Sequence, residues 1–528
     1  MTDVSGHGAD RVRAAEVAGS LCLATDLAMG FPFEHGLRST LVAMRLADRL
    51  GVDDETASRT YYVGLLTYAG CTADAEIAAE LFRGDMARHF APVMFGSPRE
   101  LLAGVIRSLP DPARAAPIRA AQIARRLPRA ARGSKPHLVA LCEVAQMLAR
   151  RLGLPAALDA HFPLLTERWD GKSPLARASG EEIPLPVRIA HVARDGTLQR
   201  LLGGDEHAAR MVAERAGHAF DPAVAEIFVA DAPALLEDDT ATWDRLLDAE
   251  PRPLVLEGDA VDRALGAMGD FADLVSPSFV GHSAGVATLA DAAAGRAGLG
   301  DDDRATIRRA ALVHDVGRVA VSTRIWQKHG SLNADEWEKV RLHPYLTERI
   351  LAPSPWLARL AHVAGAHHER LDGSGYHRGS MSPALGTGQR LLAAADAYHA
   401  MTEPRPHRTP LGPQEAGATL QAECRAGRFD PDAVAAVLSA AGQPVPRVER
   451  PAGLTEREAQ VVGLIARGLQ TKEVASLLGI SAKTADRHIQ NAYGKLGVSS
   501  RAAAAVFAME HGLATWGELP IGVTSQPS

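Results

Sequence analysis

Cysteine is scarce in this sequence: four residues in 528, Cys22, Cys71, Cys142 and Cys424, lie far apart and never form a CxxC pair. That spacing excludes a disulfide framework and a thiolate zinc site, and it fits a reducing cytoplasm. Aromatic residues make up only 5% against 46% hydrophobic residues overall. An Ala- and Leu-rich balance of this kind favours packed helices over β-sandwiches, whose strands need β-branched and aromatic side chains. No run of about 18 uncharged apolar residues is present to span a bilayer, and the N-terminus MTDVSGHGADRVR lacks the apolar segment of a signal peptide. Charge of one sign is also lacking. The formal net charge of −6 excludes a general nucleic-acid coat, so any contact with DNA must be local. The expectation is a soluble, mostly helical protein without a membrane partner, divided into domains because 528 residues exceed one core.

What the chain does contain is an internal repeat. HHERLDGSGY (367–376) is echoed by LTERWDGKSP (165–174) at an offset of 202 residues, and Arg390 matches Arg188 at the same offset. RFDPDAVAAV (428–437) echoes AFDPAVAEIF (219–228), with the offset grown to 209. Upstream, HSAGVATLADAAAGRAGLGDDD (282–303) resembles HGLRSTLVAMRLADRLGVDDE (35–55). Apolar residues recur at three- and four-residue spacing in each copy, as in Leu41, Met44, Ala47 and Leu50, so both copies read as helix bundles. The first copy carries an insertion that includes the Arg-rich stretch ARRLPRAARGSK (124–135), expected as an exposed loop or helix.

Nine of the twenty histidines fall between 282 and 399. The order His282, His314-Asp315, His343, His367-His368, Asp396 resembles the HD-GYP branch of the HD-domain phosphohydrolases, whose ligands run H…HD…H…HH…D; DGSGY (372–376) and ADAYHAMTEPRP (395–406) extend the match. Imidazole and carboxylate donors suit Fe, Mn or Zn, and an aspartate has two oxygens with which to bridge two ions. Paired ions lower the pKa of a bridging water and stabilise both oxygens of an in-line attack on phosphorus, so phosphodiester hydrolysis is the natural reaction. The resemblance implies that His282, His314, Asp315, His343, His367, His368 and Asp396 ligate two divalent ions, with Asp315 bridging. It also implies that Asp372, Gly373, Gly375 and Tyr376 shape a substrate loop, and that the substrate is cyclic di-GMP or a related cyclic dinucleotide. Arg318 stands where the family has lysine and is expected to contact phosphate as a planar, permanently charged fork. His377 replaces the proline of GYP, His399 replaces a frequent second aspartate, and Ser278 stands where some members place a third-metal glutamate. His329 and His362 match no ligand and are expected to be structural.

Carried back along the repeat, the ligand set dissolves. His35 matches His282, but Tyr68-Ala69 fall opposite His314-Asp315, Leu141 opposite His343, Leu165-Thr166 opposite His367-His368, and Arg194 opposite Asp396. A phenol, methyl groups and a guanidinium cannot hold two divalent ions. The first copy is therefore expected to be catalytically dead, serving as a scaffold or dimerisation unit, or binding an anionic effector through Arg194 and Lys172.

Beyond the Pro-rich GQPVPRVERPAG (442–453), a linker by composition, a third kind of pattern begins. Thr455 and Glu458 form a capping box, Val461, Val462, Leu464 and Ile465 give an apolar face, and Gly468 ends that helix. Thr471 opens a second helix, Gly479-Ile480 turn the chain, and Ser481 caps a third. Ala475, Leu477, Leu478, Ile480, Ala485, Ile489 and Leu496 are its expected core. Spacing and residue types resemble the LuxR/FixJ helix-turn-helix family, which implies a third helix in the major groove. Lys483, Thr484, Arg487 and His488 would then face double-stranded DNA, and Lys472 and Lys495 would touch phosphates. Seven basic residues against five acidic ones in 454–511 make this a modestly cationic module, which a homodimer would double. Asp486 occupies a position often basic in that family, and the helix from Arg501 to His511 would dimerise the module.

The expected organisation is all-α: an N-terminal tail (1–19), a degenerate HD-GYP-like domain (20–270), an HD-GYP-like metal-binding domain (276–441), the linker, a LuxR-type helix-turn-helix (454–513) and a C-terminal tail (514–528). Its expected function is transcription regulation coupled to metal-dependent phosphodiesterase activity, the alternative being a non-catalytic sensor in which the HD body binds metal or ligand only to control DNA binding.

Overall fold

The stretch Ala14–Met29, dominated by alanine and leucine, forms a helix in which every residue from Ala14 to Asp26 except Glu16 is buried. Small side chains on all faces let it pack on several neighbours at once. It lies against the turn Val316–Ala320 and the helices Asp54–Leu66, Asp259–Asp273 and His343–Leu351. These details come from a computed structural model that describes residues 10–72, 91–238, 240–444, 451–466, 468–511 and 513. Residues 1–9 of the expected N-terminal tail, 445–450 of the linker and the C-terminal tail from 514 lie outside the described residues.

Two compact units divide the chain, one of residues 1–284, 312–362 and 405–409, the other of 285–311, 363–404 and 410–528. They do not follow the repeat boundaries, because the HDVGR segment of the second copy packs on Ala14–Met29 of the first. Almost all elements are helices, as the composition requires. One antiparallel ribbon departs from that: Arg11–Arg13 pairs with Val255–Glu257, register Val12 to Leu256. Val12 is buried, and Arg11 and Arg13 pair with Glu257 and Glu250, so the segment expected as a tail to residue 19 is structured from Arg11 onward. The Arg-rich stretch 124–135 lies within one long helix, Ala116–Arg151.

The repeat is visible as repeated hydrogen bonds. Gly36 N–H donates to Asp26 (3.0 Å), and Ser283 N–H donates to Asp273 (3.0 Å), each immediately after the matched histidine. Arg188 binds Asp221 at 2.5 Å and Arg390 binds Asp430 at 3.0 Å. Both aspartates also cap the helix that follows, Pro222–Ala230 and Pro431–Ala440. In the loops, Trp169 N–H donates to the Ala219 carbonyl and Leu371 N–H to that of Arg428. Pairing of this kind at matched positions is what a duplicated fold leaves behind.

The C-terminal helices Glu456–Ala466, Thr471–Leu477, Ala482–Leu496 and Arg501–Glu510 form a small domain. The capping box is present: Thr455 N–H donates to Glu458 (2.8 Å), and Glu458 N–H donates to Thr455 Oγ1 (3.3 Å). Ser481 Oγ accepts from Thr484 N–H at 3.1 Å and so caps the third helix. Val461, Ile465, Val474, Ala475, Ala485 and Ile489 are buried together, while Val462 joins Leu454, Ala492 and Ala508. Leu477, expected in this core, is instead 64% exposed, because the turn of the helix gives the inward positions to Val474, Ala475 and Leu478.

Candidate metal centre and nucleic-acid interface

In the first unit the chemistry gathers around one carboxylate. Asp315 is fully buried at the end of the helix Asp301–Val313, where the chain turns through Val316–Ala320. Gly317 makes the turn possible. A Cβ there would lie 2.2 Å from the His343 carbonyl oxygen and 2.5 Å from Thr347 N, so only glycine lets the start of the helix His343–Leu351 approach. Thr347 Oγ1 locks the contact, donating to the His314 carbonyl (2.9 Å) and accepting from Gly317 N–H (3.0 Å).

Around Asp315 stand His314 Nε2 at 2.9 Å, His343 Nε2 at 3.2 Å and His282 Nε2 at 3.4 Å. One ligand atom each from His282, His314 and Asp315 falls within 4.8 Å of the others, a spacing suited to an ion. Arg318 Nη2 reaches Asp315 at 2.6 Å. Burial alone would raise the Asp315 pKa, but the Arg318 charge, then His314, holds the carboxyl well below the ordinary range. The side chain is an anion.

The donor set fits a divalent metal. A carbonyl oxygen only accepts, so His343 Nδ1, 2.7 Å from the Val340 carbonyl, must carry the ring hydrogen. Its Nε2 is thereby left facing an Asp315 carboxylate oxygen, the orientation in which imidazole and carboxylate share an ion. His367 is oriented in the same way in the second unit, with Nδ1 2.6 Å from the Ala364 carbonyl.

That second unit holds the other expected ligands. His368 Nδ1 lies 3.7 Å from Asp396, which is buried on the helix Thr387–Thr402. The rings of His367 and His368 are 4.3 Å apart, and Tyr376 lies 4.3 Å from His368. Tyr376 N–H donates to the His368 carbonyl, folding DGSGY back over the paired histidines. Gly375 permits that fold, since a Cβ would meet Glu369 Cα at 2.6 Å, and Asp372 braces it by accepting from Ser374 N–H (2.9 Å).

Sequence reasoning missed four supports. Glu369, buried beside the paired histidines, accepts from Arg378 N–H (3.2 Å) and Ser380 N–H (2.7 Å) and clamps the loop. Its place directly after His367-His368 was the available signal. Phe279 and Trp326 bracket Arg318, whose guanidinium carbon lies 4.4 and 5.7 Å from their ring centres. Arg405 lies 4.6 Å from the Phe279 ring centre and donates to the Ser278 carbonyl (2.6 Å). Among the expected structural histidines, His329 binds the Pro406 carbonyl at 2.8 Å.

The first copy places different residues at the matched positions. Arg194 lies 3.7 Å from the Tyr68 ring centre, and Phe31 packs against both Tyr68 and His35. His35 has its pKa lowered to about 4 by burial, with further contributions from Arg194 and Arg38.

In the C-terminal domain Lys472, Lys483, Thr484 and Arg487 are exposed and His488 is half-buried. Lys483 and Arg487, four residues apart, share one face of the third helix, opposite buried Ala485 and Ile489. Lys495, expected at phosphate, is placed otherwise: it binds Glu458 at 2.6 Å and the Gly453 carbonyl at 3.0 Å. A nearly buried capping carboxylate needs that charge, which diverts the lysine into the domain.

Comparison with known proteins gives these sites a context. Residues 267–433 match the HD domain family, and residues 452–508 match the luxR family of bacterial regulatory proteins. The chain is 30% identical over 438 residues, 81% of its own length and 94% of the relative's, to 3'3'-cGAMP-specific phosphodiesterase 3 of Vibrio cholerae. It is also 30% identical over 204 residues to the cyclic di-GMP phosphodiesterase response regulator RpfG of Xanthomonas campestris, covering 38% of this chain and 54% of that one. A crystal structure of a V. cholerae cyclic GMP-AMP-specific phosphodiesterase superposes with a TM-score of 0.56 at 25% identity, covering 82% of this chain and 98% of that one. No helix among the described residues is long and apolar enough to cross a membrane. The chain belongs to the HD-GYP phosphodiesterases, and it carries in addition a DNA-binding domain of the luxR family.

Proposed function

We propose that this protein hydrolyses a cyclic dinucleotide in the cytoplasm and, as a homodimer, couples that turnover to binding of double-stranded DNA. The observation that carries the reading is the buried Asp315 carboxylate faced by His282, His314 and His343. The names of the V. cholerae and Xanthomonas relatives support the substrate class. By the family's ligand order, His282, His314, Asp315, His343, His367, His368 and Asp396 would hold two divalent ions, iron, manganese or zinc, with Asp315 bridging. Such ions lower the pKa of bound water and neutralise charge at phosphorus. Arg318 would donate to a non-bridging phosphate oxygen, and Tyr376, with Asp372, Gly373 and Gly375 setting the loop, would face a base. A water oxygen forms the new bond to phosphorus, the P–O3′ bond breaks, and the departing oxygen takes the proton. On DNA, Lys483, Thr484, Arg487 and His488 would enter the major groove with Lys472 at phosphate. In this proposal the first copy has no hydrolytic role.

The test is turnover of cyclic di-GMP and 3'3'-cGAMP by the metal-reconstituted chain, with Asp315→Asn as control. Linear dinucleotide from the wild type alone is the expected result; intact substrates with both proteins would overturn it. One observation favours a second reading, a sensor that binds without turnover. Arg318 places a permanent positive charge 2.6 Å from Asp315, where it competes with metal for the same oxygen. Bound metal and bound cyclic dinucleotide without hydrolysis would establish that reading.

A further inference from the structure

The first copy contains a cleft of about 210 Å³ bordered by His35. Its lining is both basic and apolar. Arg38, Arg45 and Arg200 line it together with the apolar Val42, Leu201 and Leu236. Two of the arginines converge on a single carboxylate: Arg38 Nη1 lies 2.6 Å from Asp238 Oδ1, and Arg200 donates to Asp238 through Nη1 (2.8 Å) and Nη2 (3.0 Å). Arg45 is aimed by the carbonyls of Leu235 and Glu237, at 2.9 and 3.1 Å. Asp205 steadies Arg200 from behind, binding Nε at 2.8 Å.

A planar anion held by two guanidinium groups is how proteins grip carboxylate and phosphate alike. Here the anion is an aspartate on an exposed segment, its side chain 62% exposed, so little apart from the two arginines keeps it there. A buried imidazole also borders the cleft. His35 lines the cleft and is almost fully buried, yet its Nε2 has no hydrogen-bond partner among the described residues. Burial holds this ring neutral at physiological pH, so it can either donate to or accept from a ligand. Buried polar atoms are rarely left in that condition without a water or ligand to satisfy them.

We infer that this cleft is a regulatory binding site for a phosphomonoester of nucleoside type, whose phosphate takes the place of the Asp238 carboxylate between Arg38 and Arg200. Arg45 would add a third cation to the dianion, and Val42, Leu201 and Leu236 would offer apolar surface to part of a base. The modest size of the cleft, about 210 Å³, favours a small phosphomonoester over an intact cyclic dinucleotide. No metal takes part, and the inference stands whether or not the HD centre turns over substrate.

The experiment is calorimetric titration of the full-length chain with GMP, AMP, guanosine and inorganic phosphate. A mononucleotide should bind once per chain, with guanosine much weaker. Asp238→Asn, at an exposed position and with its melting temperature as a check on folding, should tighten binding about tenfold by removing the competing charge. Arg38→Ala combined with Arg200→Ala should weaken it by at least as much, and Asp315→Asn should leave it unchanged. The inference is overturned if the arginine variants bind as well as wild type, if Asp315→Asn alone abolishes binding, or if Asp238→Asn takes up neither mononucleotide nor phosphate at millimolar concentration.

Discussion

The guanidinium of Arg194 rests 3.7 Å from the centre of the Tyr68 ring, at positions that align in the second copy with Asp396 and His314. A cation and an aromatic ring thus occupy positions matched to proposed ligands of the other copy, and a buried contact of this kind is worth about 2 kcal/mol. Arg194→Ala should lower the melting temperature by several degrees while leaving phosphodiesterase activity within about twofold of wild type. Differential scanning calorimetry alongside a turnover assay checks both halves; lost turnover in a stably folded variant would contradict a purely structural role.

Asp315→Asn keeps the shape of the most central side chain and removes its charge. Metal content measured by mass spectrometry should fall toward zero, and turnover by at least about 100-fold, because several kcal/mol of transition-state stabilisation depend on bound metal. Arg318→Lys should retain metal and most turnover, whereas Arg318→Ala should raise KM by about tenfold or more through the lost phosphate contact.

Gly317→Ala tests the turn rather than the ligands. Its new methyl group would sit 2.2 Å from the His343 carbonyl oxygen, so the helix carrying His343 must retreat. Overpacking of this sort costs about 1–3 kcal/mol. The variant should melt several degrees lower and bind metal more weakly, although no ligand has been changed.

On the DNA side two lysines should behave differently. Lys483→Ala should weaken binding at a cognate duplex and reduce the slope of log K against log salt by about 1. Lys495→Ala should leave that slope unchanged and instead lower the stability of the C-terminal domain, because its ammonium serves Glu458 and the Gly453 carbonyl. Binding isotherms at several salt concentrations, paired with thermal melts, distinguish the two.

Acid should weaken the first copy through its buried imidazoles. His191 has its pKa lowered from 6.5 to about 4, first by burial, and its Nε2 lies 2.9 Å from the Leu165 carbonyl. The unfolded chain takes up a proton near pH 6.5 that the folded chain refuses until about pH 4. This contribution to stability is complete above the unfolded pKa and is lost as pH falls through that window. The pH dependence of the melting temperature between those limits should therefore be shallower in His191→Gln than in wild type.

The HD-type domain was legible in the sequence because its histidines and aspartates follow a recognisable order, and residues 267–433 match that family. The helix-turn-helix was legible because caps are local, as Thr455, Glu458 and Ser481 show. Tertiary relationships were not. The exposure of Leu477, the diversion of Lys495 to Glu458 and the aromatic bracket of Phe279 and Trp326 about Arg318 depend on segments distant in sequence. Nor does a three-residue strand such as Arg11–Arg13 carry enough alternation to be recognised before its partner at Val255–Glu257 is known.

The packing of Ala14–Met29 against both Val316–Ala320 and His343–Leu351 bears on how the duplication has persisted. A copy with no hydrolytic role of its own, as proposed above, would ordinarily tolerate the loss of residues. Here it has become the mould for the segment that carries His314, Asp315 and His343, so trimming it would uncover the back of that segment. The two copies are thus joined by packing as well as by sequence: the first braces the segment on which the second carries His314, Asp315 and His343.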